Sequence, residues 1–127
     1  MPCQITNDSG IIWIRLSGCV TVGDITDGLA MLEALESSRE IIPPRITDLT
    51  KVIDVDLPFD IVKRLTSHRK VRTYKNAYKA AIVAPHAIHI GFARMFQSLM
   101  LHPQVSIVIF SDLASAVAWI SEENAPA

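Results

Sequence analysis

Along the chain the spacing of hydrophobic positions changes period several times, and each change marks an element. Residues 11–17 alternate, with Ile12, Ile14 and Leu16 on one face and Arg15 and Ser17 on the other beside Trp13, the period of a half-buried strand. Gln4-Ile5-Thr6 and the Asp8-Ser9-Gly10 turn make this strand the second arm of a hairpin. Thr21-Val22-Gly23-Asp24 has capping-box spacing. Ile25, Leu29, Leu32 and Leu35 then recur at helical spacing, with Glu33, Glu36 and Glu40 mostly in other directions, until Pro43-Pro44 ends the element. Residues 45–49 read as a short strand. Asp56 is expected to cap a helix with Pro58 in its first turn and Ile61, Val62 and Leu65 along it. Val71, Tyr74 and Tyr78 fall out of phase with that set, which predicts a break between residues 66 and 70.

Residues 80–84 form a continuous apolar run, the pattern of a strand covered on both faces. From 86 to 101 the chain returns to helical spacing: Ile88, Phe92, Met95, Phe96 and Leu99 make one stripe, Arg94, Gln97 and Ser98 face away, and His102-Pro103 is the stop. Residues 105–110 read as a last buried strand, and Ser111 as the cap of a final helix with Leu113, Val117 and Ile120 inward and Trp119 nearby. The order is hairpin, helix, strand, helix, strand, helix, strand, helix. It predicts one α/β domain over residues 1–127 with a mixed sheet: an N-terminal hairpin, later parallel strands with right-handed crossovers, and four flanking helices. The C-terminal strand ends would then gather Asp48, Thr50, Pro85, His86, Ser111 and Asp112 on one rim, where open α/β sheets tend to bind ligands.

Composition narrows this picture. At 127 residues the chain is of single-domain length. It is 50% hydrophobic with a mean hydropathy of +0.30, yet no apolar run approaches the ~20 residues of a bilayer span, so integral membrane association is not expected. The first nine residues lack the basic start and apolar core of a secretion signal, which points to the cytoplasm. Hairpin geometry puts Cys3 and Cys19 roughly 13 Å apart, too far for a disulfide, and both are expected to be buried free thiols. Net charge is −1, but residues 61–111 hold eight bases and no acid. Seven of them, Lys63, Arg64, Arg69, Lys70, Arg72, Lys75 and Lys79, lie in one short stretch that reads first as a solvated face and second as a contact for an anionic partner. Tyr74 and Tyr78 in that stretch could stack on bases, but the near-neutral total charge and the lack of a nucleic-acid motif argue against nucleic acid as a partner.

With these elements in place the chain resembles the SpoIIAA-like, or STAS, domain group, and in particular the branch compared with Sec14-type lipid carriers. The resemblance covers nearly the whole chain. It rests on the element order, on Asp48-Leu49-Thr50 leading into Val52-Ile53-Asp54-Val55-Asp56, and on the ending from Val108-Ile109-Phe110-Ser111-Asp112 to Ala118-Trp119-Ile120. It implies a SpoIIAA-like mixed sheet and a non-catalytic binding or regulatory role. Anti-sigma-factor antagonists of this group carry a phosphorylatable serine at the start of the second helix. Here the matching stretch reads Asp56-Leu57-Pro58-Phe59 and offers no hydroxyl to take the charge.

Chemistry-bearing residues add little beyond this. His86 and His89 stand one turn apart, but a catalytic zinc site needs a third protein ligand that the segment lacks, so no metal and no cofactor is expected. Asp48, Asp54, Asp56 and Asp60 read as turn and cap residues before they read as acid/base groups. No nucleophile elbow, phosphate loop or metalloprotease signature is present, and no catalytic residue is assigned. The helix over 86–101 is apolar beyond one face: Ile90 and Leu101 project toward the polar side and Met100 flanks the stripe. That surplus calls for a cover, either a ligand or a second subunit. The leading expectation is a binding module for a small apolar or anionic amphipathic ligand, with walls from Phe92, Phe96 and Met100 and polar contacts from His89 and Arg94. The alternative is a regulatory protein-interaction domain, dimeric through Ile90, Met100 and Leu101. A weaker one is a small hydrolase or lyase using Asp48 and His86.

Overall fold

The computed structural model describes residues 3–122. In chain order the elements are β1 (Cys3–Asp8), β2 (Ile11–Thr21), α1 (Val22–Ser37), β3 (Arg45–Asp56), α2 (Phe59–Val71), β4 (Tyr78–Val83), α3 (Ala87–Leu99), β5 (Val105–Phe110) and α4 (Leu113–Ser121). The five strands form one sheet in the order β1-β2-β3-β4-β5, with β1 antiparallel to β2 and every other neighbour parallel. Each parallel step moves the same way across the sheet, so right-handed crossovers set α1, α2 and α3 on one face. That face buries Leu16, Val20, Leu49, Val52, Ile82 and Phe92. Ile46, Ala81 and Val83 point the other way and are covered by Ala116 and Ile120 of α4.

Local chemistry explains the element ends. Ser9 and Gly10 both take positive φ, 54° and 77°, and Asp8 pairs with Ile11 across them, the geometry of a two-residue type I′ hairpin turn. Thr21 and Asp24 form the expected capping box: the Asp24 amide donates to Thr21 Oγ1 and the Thr21 amide to the Asp24 carboxylate. The C-terminus of α1 is closed by Lys75, whose ammonium donates to the carbonyls of Glu36, Ser37 and Arg39.

Several expectations are corrected. β3 is twelve residues long rather than five: beyond Asp48 it leaves β4 and continues along β2 as far as the Thr21–Asp56 pair. Pro58, not Asp56, stands at the N-cap of α2, and no side chain caps it. At α4 the cap is Asp112 rather than Ser111, its carboxylate accepting from the Ser115 amide. α1 ends at Ser37, short of Pro43. α2 runs unbroken through residues 66–70, because its buried stripe continues through the polar Thr66 and Arg69. Ile88 and Leu113 are exposed rather than inward. Cys3 and Cys19 are free as expected, but only Cys3 is buried.

Candidate functional site

Three charged residues occupy core positions of their elements and meet beneath the sheet. Glu36 stands one helical turn after Leu32 on the buried stripe of α1, Arg69 one turn after Thr66 on that of α2, and Arg45 opens β3 on the same face as Leu49. Their side chains are 1%, 1% and 5% exposed. Arg69 grips the Glu36 carboxylate with both terminal nitrogens, Nη1 to Oε1 at 3.0 Å and Nη2 to Oε2 at 2.9 Å, the bidentate geometry that makes an ion pair strong. Arg45 Nη2 approaches Glu36 Oε2 to 2.8 Å as an ion pair, and its guanidinium lies 4.1 Å from the centre of the Tyr78 ring. Burial alone would raise the Glu36 carboxyl, but hydrogen bonding from Arg69 and the charges of Arg45 and Arg69 outweigh it and hold it below the usual range. Burial likewise works against the charged Arg69, and Glu36 overcomes it and raises the guanidinium. Tyr74, whose hydroxyl donates to the Arg69 carbonyl, is pushed up to about 12, chiefly by burial.

The two arginines of this cluster stand at the polar end of a cavity of about 120 Å³ between the sheet and helices α1 and α3. Leu16, Leu32, Ile82, Phe92, Phe96 and Met100 are among its walls, and Arg45, Arg69 and Tyr78 are at the end that meets the first residues of β3, β4 and β5. Gly28 of α1 lets the helix come close to β1, since a Cβ would stand 3.0 Å from Cys3 Sγ. Phe92 and Phe96 make an edge contact with ring centres 5.1 Å apart.

The sequence-derived candidates are distributed as follows. Phe92, Phe96 and Met100 line the cavity, whereas His89 and Arg94 do not. Arg94 is exposed. His89 is 2% exposed and turned to β3, its Nε2 donating to the Val52 carbonyl at 2.8 Å. None of the rim residues Asp48, Thr50, His86, Ser111 and Asp112 borders the cavity, which reaches the opposite, N-terminal ends of the parallel strands. The Asp48 carboxylate accepts from the Thr50 amide, and hydrogen bonds to the Ser115 amide and hydroxyl hold the Asp112 carboxyl low. His86 sits exposed at the N-cap of α3, its ring 5.4 Å from that of His89. Among the described residues, no three metal-binding side chains come together, and no helix is long and apolar enough to cross a membrane. Ile90, Met100 and Leu101 have different surroundings: Ile90 packs on the core, Met100 borders the cavity and Leu101 is 63% exposed.

The basic stretch does not make one patch. Arg69 is buried, Arg72 pairs with Glu33 and Glu36, Lys75 caps α1, and Lys79 donates to the Trp119 carbonyl, leaving Lys63, Arg64 and Lys70 exposed. Tyr74 and Tyr78 are buried against each other and offer no stacking surface. Sequence reasoning missed Arg45, Glu36 and Arg69, although Glu36 lies at i+4 from Leu32 and Arg69 at i+7 from Val62.

No family model matches the chain, and no curated protein matches it. Among solved structures, an uncharacterized protein of the DUF3478 family with a SpoIIAA-like fold, from Shewanella loihica PV-4, aligns with a TM-score of 0.59 at 17% identity, over 93% of this chain and 91% of that one. A crystal structure of a protein called Mglu aligns over 82% of this chain and 18% of that one at 17% identity, with a TM-score of 0.35, too low to carry an argument. The mixed five-stranded sheet, its four helices and the first of these alignments together make this a SpoIIAA-like fold.

Proposed function

We propose that the protein is a non-catalytic binding domain that takes a small apolar or amphipathic ligand into the cavity between its sheet and helices α1 and α3. One observation carries this reading: an apolar space of about 120 Å³ walled by Leu16, Ile82, Phe92, Phe96 and Met100 between the sheet and its helices. A cavity of roughly 150 Å³ lined by Leu, Ile and Phe is large enough to bind benzene. The Sec14-like lipid-carrier resemblance supports the apolar character of the ligand, and the volume limits it to a small body or a short chain. Solvent extraction of the purified protein followed by mass spectrometry, with a thermal shift series in hexanol, tests the reading. A co-purifying small molecule, or a melting temperature that climbs with hexanol as mass action requires, supports it. Recovery of nothing together with an unmoved melting temperature refutes it.

A second reading, a regulatory interaction domain that dimerises, is favoured by Leu101, which is 63% exposed just beyond α3. Light scattering of wild type and Leu101→Glu separates the two: a dimer lost on substitution supports the interface, and a monomer in both cases removes it.

A further inference from the structure

Resting on that reading, we infer that the ligand carries a carboxylate, docked on Arg45 and Arg69 at the polar end of the cavity. Charge is the first ground. Arg45, Arg69 and Arg72 face the carboxylates of Glu36 and Glu33, so three cations meet two anions, and the surplus falls where burial is deepest. A buried cation without its counter-charge is costly.

Hydrogen bonding is the second ground, and it is independent of the charge count. A guanidinium presents five N–H donors and no acceptor. Arg69 engages both Glu36 oxygens and reaches the Tyr78 hydroxyl at 3.4 Å, yet its Nε has no hydrogen-bond partner among the described residues. Arg45 is in the same position: its Nη2 is taken up by Glu36 at 2.8 Å, and its buried Nε has no hydrogen-bond partner among the described residues. Both arginines border the cavity. The carboxylate that does line the cavity, Asp24, is already held in the capping box of α1.

An anion with acceptor oxygens, small enough for about 120 Å³ and apolar in the rest of its body, complements what this cavity presents. A planar carboxylate suits a guanidinium fork, and a six-carbon chain or ring suits the walls. The ligand class is therefore a small monocarboxylate with a compact hydrocarbon body. Tyr78, stacked on Arg45, holds the guanidinium plane in place.

Calorimetric titration of the full chain with hexanoate and with hexanol, in wild type and Arg45→Met, tests the inference. Methionine keeps an unbranched apolar stem and leaves the Glu36–Arg69 pair intact. Wild type is expected to bind hexanoate about tenfold or more tighter than hexanol, the worth of a charge-assisted hydrogen bond, and Arg45→Met to lose that preference while still binding hexanol. Hexanol binding as tightly as hexanoate in wild type, or a preference unchanged in Arg45→Met, overturns the carboxylate while leaving an apolar binding domain. Binding of neither compound overturns both readings. The wild-type comparison decides the matter even where the variant does not fold.

Discussion

At the scale of single residues, the hairpin turn offers the simplest test. Ser9 and Gly10 both sit at positive φ, and a type I′ turn favours Asn-Gly above other pairs. Ser9→Asn is expected to raise the melting temperature by a few degrees, a gain of roughly 0.5 kcal/mol, and Gly10→Ala to lower stability by about 1 kcal/mol; urea denaturation measures both. Glu36 is the more consequential residue. Glu36→Gln leaves Arg45 and Arg69 buried without a counter-charge, and breaking a buried pair from one side costs about 3–5 kcal/mol, a large part of a domain's total of roughly 5–15 kcal/mol. Its pH dependence has a definite sign. The carboxyl titrates lower in the folded protein than in the unfolded chain, so its contribution is complete above the unfolded value of about 4.3 and disappears as pH falls through the folded value. Wild type should lose stability steeply over that acid range, and Glu36→Gln, already weakened, should lose less. An equal slope in both would show that the carboxylate is not what acid attacks.

At the scale of elements, period-two and helical patterns made the order of strands and helices legible, because most core positions are apolar and their spacing reports the backbone directly. The buried charges escape for one reason. A charged side chain reads as exposed, so the sequence puts Glu36 among the solvent-facing acids and Arg69 inside a break in α2, although both continue the buried stripe of their helix. Arg45 escaped in the same way at the start of β3, and with it the polar end of the cavity. The length of β3 was hidden for another reason. Beyond Asp48 it pairs with β2 alone and exposes Lys51, Ile53 and Asp54, so its pattern lacks the apolar run of a covered strand. His89 anchors this free edge by donating to the Val52 carbonyl. His89→Leu should cost about 1–3 kcal/mol, the penalty of a buried carbonyl left unpaired, and should speed hydrogen exchange at amides of residues 52–56 ahead of those in β4. Exchange accelerating equally in both strands would mean that the imidazole does not act on the edge.

At the scale of the whole molecule, three helices crowd one face of the sheet and one covers the other, and the cavity lies on the crowded face. The helices there are spaced by large side chains such as Phe92 and Phe96, while Gly28 and Ala93 contribute little volume. Enlarging a small wall residue should therefore strengthen the fold at the expense of binding. Ala80→Val adds volume at the wall from β4 and is expected to gain roughly 0.5–1 kcal/mol of stability, as cavity filling commonly does, while weakening hexanol. The most direct test is diffraction from crystals exposed to iodobenzene, a neutral probe whose iodine scatters anomalously. An iodine peak bounded by Ile82, Phe92 and Phe96 is the expected result. Absence of any peak there, with Phe96 and Met100 folded inward to close the space, would contradict the account.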